Sequence, residues 1–169
     1  RSRGLGDVYK RQPIAMEPET KYCQAILQAW YPGQSGGKAA AEVLFGDYNP
    51  AGRLPVTFYR NTAQLPDFED YNMTGRTYRY FKGDPLFPFG YGLSYTTFNY
   101  GNIKLEQTIK VGETAKIIVP VTNTGNRDGE EVVQVYLKKQ EDAEGPVKTL
   151  RAFKRVQIPA GETVNVELE

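Results

Sequence analysis

The chain has 169 residues, 40% hydrophobic and 12% aromatic, with a net charge of +1. That is room for one domain or parts of two, with no basic excess to suggest nucleic acid or an anionic membrane as a partner. It has no histidine and one cysteine, Cys23, which excludes a Ser-His or Cys-His catalytic pair, a His-ligated or multi-cysteine metal site, and an internal disulfide within this chain.

Residues 1–12 carry four basic residues and no periodicity; they are expected to be a non-native, adapter-derived or disordered tail. Residues 13–16 read as a strand end or loop, and residues 17–21 as polar and exposed. Residues 23–30 (CQAILQAW) form a short apolar run that predicts a buried strand ending at Tyr31-Pro32-Gly33. Cys23, with no histidine to activate it and apolar residues after it, is expected to be a packed core thiol. The glycine-rich turn Gly33-Gln34-Ser35-Gly36-Gly37 then opens a helix over residues 38–45, stopped by Gly46. Strand, glycine-rich turn and helix together are an α/β signature.

A glycine-rich turn before a helix can cradle phosphate. Here Ala39 follows Lys38 where a P-loop needs Ser or Thr, and Gly33 stands one residue short of the required spacing. Turn geometry, or close backbone approach at a pocket rim, is the better account. Residues 54–58 are a short extended piece. Residues 61–72 form a polar loop with Asp67, Glu69 and Asp70, which lack calcium-loop spacing and read as a solvated surface without basic neighbours to perturb them.

Residues 75–95 contain many Phe and Tyr together with Pro85, Pro88, Gly90 and Gly92. Linkers are polar and poor in aromatics, and each large ring buries roughly 150–250 Å² when packed, so this stretch is expected to be a clamped connector. Arg76 and Arg79 are expected to lock it by stacking and ion pairing. Thereafter the pattern alternates. Strands are predicted over residues 116–121, 131–137, 153–158 and 164–168, with turns at Asn123-Thr124-Gly125-Asn126 and Pro159-Ala160-Gly161-Glu162. Short strands at this spacing argue for an immunoglobulin-like or fibronectin-like sandwich, which normally has about seven strands. With fewer here, the sandwich is expected to be incomplete.

Three blocks in order, Tyr31-Pro32-Gly33-Gln34-x-Gly36-Gly37, Leu44-Phe45-Gly46-Asp47-Tyr48-Asn49-Pro50-x-Gly52-Arg53-Leu54-Pro55 and Pro88-Phe89-Gly90-Tyr91-Gly92-Leu93-Ser94-Tyr95, resemble the C-terminal half of glycoside hydrolase family 3. Asn123-Thr124-Gly125 and Gln134-Val135-Tyr136 resemble its fibronectin type III-like domain. The resemblance implies a mixed fold: the C-terminal remnant of an α/β sandwich domain (residues 13–59), an aromatic-rich connector (residues 60–95) and an incomplete all-β fibronectin III-like sandwich (residues 96–169), truncated at both ends.

It also implies a retaining, exo-acting β-glycosidase of plant-derived oligosaccharides, secreted or periplasmic. Met73-Thr74-Gly75-Arg76-Thr77-Tyr78-Arg79-Tyr80 is similar to β-xylosidase and α-arabinofuranosidase relatives more than to β-glucosidase relatives. The implied chemistry uses an aspartate nucleophile and a glutamate acid/base, with no metal or organic cofactor. The family places the first in its barrel and the second upstream of the Tyr-Pro-Gly block. Neither has a counterpart here, so no catalytic, cofactor-binding or metal residue is assigned and the chain alone is expected to be inactive. The alternatives are a β-glucosidase of the same family, a non-catalytic carbohydrate-binding module, or a structural adhesion-type sandwich.

Overall fold

The computed structural model describes residues 14–105, 109–110 and 112–169. The expected tail over residues 1–12 lies outside them. Contacts divide the chain into two compact units.

The first unit takes in the chain to Tyr48, Leu54–Tyr91 and Lys139–Val147. Helix α1 spans Glu17–Tyr22, with Pro18 in its first turn, Glu17 and Glu19 at its positive end and Lys21 at its negative end, charges that complement the helix dipole. Helix α2 spans Gly36–Phe45. Three consecutive alanines favour it, and Gly46, at φ 83°, closes it in a left-handed conformation that costs a glycine little.

Residues 23–30 are irregular rather than a strand, and Cys23 is exposed rather than buried. An extended segment needs a neighbour to take its backbone hydrogen bonds. Among the described residues of this unit the one bridge joins Phe58 to Phe87, so the apolar run has no ladder to join.

Residues 54–58, expected to be extended, bend at Pro55 and Val56 and form a bridge only at Phe58; their partner is the aromatic stretch. Leu54 N–H donates to Tyr91 O at 2.8 Å and Phe58 N–H to Phe87 O at 2.9 Å, while Gly90 and Leu86 N–H return bonds to Leu54 O and Phe58 O. The single-turn helix α3, Thr77–Tyr80, lies between.

The second unit comprises Asn49–Arg53, Gly92–Lys138 and Lys148–Glu169. Among the described residues six antiparallel strands form two sheets: β1 Phe98–Tyr100, β2 Lys104–Leu105, β3 Ile117–Asn123, β4 Gly129–Leu137, β5 Thr149–Ile158 and β6 Thr163–Leu168. In the first sheet β6 pairs β3 (Val119↔Val166, Val121↔Val164), with β1 and β2 on the other edge of β3. The second sheet is β4 with β5, from Gly129↔Ile158 to Leu137↔Thr149, bulged between Val135 and Tyr136.

Val119, Val121, Val166 and Leu168 of one sheet meet Val133 and Ile158 of the other, ringed by Phe98, Ile117, Val135, Ala152, Val156 and Val164. The predicted alternation of Ile117, Val119 and Val121 is what turns β3 to this core. Strands β1 and β2, absent from the sequence prediction, are parted at Pro120. Its carbonyl accepts Gly101 N–H at 2.8 Å on their side; a proline has no N–H there to carry the ladder on, so the edge breaks.

Candidate functional site

In the Gly33–Gly37 turn, packing accounts for Gly36. Gly36 N–H bonds Gly33 O at 3.2 Å, and a Cβ on Gly36 would stand 2.5 Å from the Pro32 ring. Gly33 adopts a left-handed φ of 63°, so two of the turn's three glycines have a local reason that involves no phosphate.

The acidic loop is built by its own turns. Asp67 Oδ1 accepts Glu69 N–H at 2.9 Å, and Asp70 Oδ1 accepts Asn72 N–H at 2.9 Å and Asn72 Nδ2 at 2.8 Å. These bonds to the Asn72 backbone and side chain, with the nearby Arg76 charge, hold the Asp70 carboxyl below its ordinary value. Here the expectation of no basic neighbour fails, because Arg76 folds back over the loop. It donates from Nε to Asn72 O at 3.0 Å and from Nη2 to the carbonyls of Asp67 and Asp70. Expected to stack and form ion pairs, it instead saturates the carbonyls of a turn, which suits its planar fork of donors. No group of three His, Cys, Asp or Glu among the described residues could hold a metal.

The aromatic stretch is clamped, as its composition demands. Phe58 is fully buried, with Trp30 and Phe87 edge-on at 6.2 and 6.4 Å. Phe87 stacks on Tyr91 at 5.2 Å, Tyr78 on Phe89 at 4.2 Å, and Tyr59 meets Phe81 edge-on at 4.9 Å. Offset and edge-on pairs are the favoured ring geometries.

The most elaborate polar cluster lies in the second unit, at residues given no role in the sequence reading. Arg53 Nη2 meets Glu131 Oε2 at 2.5 Å, and Tyr100 OH donates to Glu131 Oε1 at 2.8 Å. Glu131 is the one buried carboxylate among the described residues. Burial, reinforced by the Glu131 acceptor, pushes the Tyr100 hydroxyl far above its ordinary value, so it stays a donor.

Asn49 Oδ1 accepts Ser94 Oγ at 2.9 Å and Tyr95 N–H at 2.7 Å, while its Nδ2 donates to Asp128 O at 3.0 Å. Asn123, read as a turn residue, is fully buried at the end of β3. Its amide donates to Arg127 O and Ile158 O, and its Oδ1 accepts from Thr96 Oγ1 and Gly125 N–H.

One sequence signal could have found Glu131. It shares the inward face of β4 with Val133 and Val135, and a carboxylate on a core face demands a cation. Nothing local says that the cation is Arg53.

A piece with short helices and one β-bridge and an antiparallel fibronectin-like sandwich define a modular chain with its own buried polar ties and no buried carboxylate left without a cation among the described residues. Comparison with known proteins places it. The family model described as the glycosyl hydrolase family 3 C-terminal domain matches residues 8–95, and that of the fibronectin type III-like domain matches residues 131–169.

The chain is 58% identical over 156 residues to a xylan 1,4-beta-xylosidase of Xylanibacter ruminicola, covering 92% of this chain and 18% of that protein. It is 41% identical over 169 residues to a periplasmic beta-glucosidase of Salmonella typhimurium, covering 92% and 22%. Among solved structures it superposes on a β-glucosidase from Erythrobacter marinus with a TM-score of 0.78 at 42% identity, covering 92% and 21%. The chain belongs to glycosyl hydrolase family 3, of which it carries the C-terminal domain followed by a fibronectin type III-like sandwich. It spans about a fifth of the length of the curated relatives it matches.

Proposed function

We propose that this chain is the C-terminal portion of a retaining, exo-acting β-xylosidase that hydrolyses O-glycosidic bonds in plant-derived oligosaccharides. The observation that carries this reading is the 58% identity to a xylan 1,4-beta-xylosidase, against 41% to a beta-glucosidase. A β-glucosidase of the same family is the alternative.

Hydrolysis with retention needs two carboxylates, one attacking the anomeric carbon and one protonating the leaving oxygen before it activates water. Both are assigned outside these residues. The surroundings of Glu131 support that: a general acid needs a carboxyl free to hold and release a proton, whereas the Arg53 guanidinium and the Tyr100 hydroxyl occupy both its oxygens. The chemistry calls for no metal or organic cofactor. A secreted or periplasmic location is supported by the periplasmic relative. No helix among the described residues is long and apolar enough to cross a membrane.

A purely carbohydrate-binding role would need a row of exposed rings on one sheet face. Strand β5 exposes Phe153, but the Tyr136 ring is covered by Lys148 Nζ, 4.4 Å from its centre.

The test is to recover the complete gene from longer contiguous reads and assay its product beside this chain on aryl β-xyloside, β-glucoside and α-arabinofuranoside. Activity of the long form on the xyloside, with none from this chain, is the expected result. A preference for the glucoside would select the alternative, and cleavage by this chain alone would sink the assignment of both carboxylates elsewhere.

A further inference from the structure

Asn49–Arg53 is a short stretch held by residues far from it in sequence, in the manner of a bound peptide. At one end the Asn49 carboxamide is read on both sides, its oxygen by Ser94 Oγ and Tyr95 N–H, its nitrogen by Asp128 O. An aspartate could not make the last bond, and an aliphatic residue would make none. At the other end the Arg53 guanidinium enters a site whose carboxylate, Glu131, is itself buried and oriented by Tyr100 OH.

Between the two ends Ala51 is 1% exposed, so its position admits only a small side chain. Gly92 lies so close that a Cβ there would fall on Gly52 O, and a Cβ on Gly129 would stand 2.9 Å from Asn49 Nδ2. A Cβ on Gly52 itself would meet nothing within 4 Å, so the fourth position is not read.

We propose that this face of the second unit is a peptide-recognition slot selective for Asn-x-(small residue)-x-Arg, filled in cis by Asn49–Arg53. The selectivity sits mainly at position five, where Arg53 and Glu131 are desolvated, and position one adds directional bonds to its carboxamide. Leaving the buried Glu131 without its cation is what penalises a wrong sequence. Tethering raises the local peptide concentration to the order of millimolar, so a modest intrinsic affinity keeps the slot full.

The test uses the full 169-residue chain carrying Asn49→Ala and Arg53→Met, which weakens the tethered ligand and leaves Ser94, Tyr95, Tyr100, Asp128 and Glu131 in place. The probe is the acetylated, amidated heptapeptide Tyr-Asn-Pro-Ala-Gly-Arg-Leu, and the readout is hydrogen exchange at the Tyr95 backbone N–H. Faster exchange in the variant is expected, slowed about ten-fold by millimolar peptide and not slowed by the same peptide with methionine for arginine. Wild-type exchange in the variant without peptide, or equal protection by both peptides, would overturn the proposal.

Should circular dichroism show the double variant unfolded, the Arg53→Lys chain takes its place. There the arginine peptide is expected to displace the tethered lysine segment and slow exchange, and the lysine peptide to have no effect. An equal response to the two would overturn the proposal.

Discussion

Arg53 Nη2 and Glu131 Oε2 stand 2.5 Å apart although 78 positions separate them, with side chains only 12% and 8% exposed. Desolvating two such charges costs several kcal/mol each, recovered only while both are present. Glu131→Ala, which strands the guanidinium and the Tyr100 hydroxyl, is therefore expected to cost about 3–5 kcal/mol in denaturant unfolding. Replacing both partners with methionine is expected to cost much less, since no charge is then left buried. Equal losses from the single and double replacements would refute this account.

Tyr100 links the same cluster to alkaline pH. Burial first, and its bond to Glu131 second, raise its hydroxyl above the ordinary value of 10.0. The folded chain thus holds this proton more tightly than the unfolded chain does. The stabilisation is complete below about pH 10 and is lost as pH rises from there through the folded value. Ultraviolet titration is expected to show one tyrosine ionising after the others. Tyr100→Phe should remove that late step and flatten the alkaline fall in stability.

Phe58 anchors the first unit. Fully buried between Trp30 and Phe87, it bonds the aromatic stretch through both its N–H and its carbonyl. Phe58→Ala is expected to cost about 3–5 kcal/mol and to change the near-ultraviolet dichroism of Trp30, the only tryptophan in the chain. Phe58→Leu, which leaves a smaller cavity, should cost less. An unchanged tryptophan signal in the alanine variant would argue against the edge-on contact.

Asn123 is the polar hub of the sandwich, with all four hydrogen-bonding positions of its amide used at full burial. Asn123→Ala is expected to cost about 3 kcal/mol or more, because the Ile158 carbonyl and the Thr96 hydroxyl are left behind in the interior. Asn123→Asp should do worse, since it loses both donated bonds and buries a charge. Thermal melts of the two variants in that order check the assignment; the reverse order contradicts it.

What could be read directly follows from short-range physics. The period-two alternation of Ile117, Val119 and Val121 points to a half-buried strand wherever the sheet lies. Gly46 ends α2 by its own backbone freedom, and the rings of residues 75–95 pair with one another and with Phe58 and Tyr59, as their density suggests. The motif order around Asn49–Pro55 and Pro88–Tyr95 likewise carried the family, because such blocks are local strings.

The errors share a cause. The apolar run at residues 23–30 looked like a buried strand, but strand formation is decided by a neighbour's hydrogen bonds, which a run does not contain. Strands β1 and β2 have too few residues to show a period, and exist because β3 offers an edge on either side of Pro120.

By itself, then, the sequence determined the family, the sandwich with its inward-facing residues, the main helix and the clamped aromatic stretch, because each is written in neighbouring residues. Only the tertiary structure decided that Arg53 neutralises Glu131, that Asn49 is read by Ser94, Tyr95 and Asp128, and that Arg76 serves carbonyls rather than carboxylates. A polar side chain declares what kind of partner it needs. Which partner it finds depends on the path of a backbone many residues away.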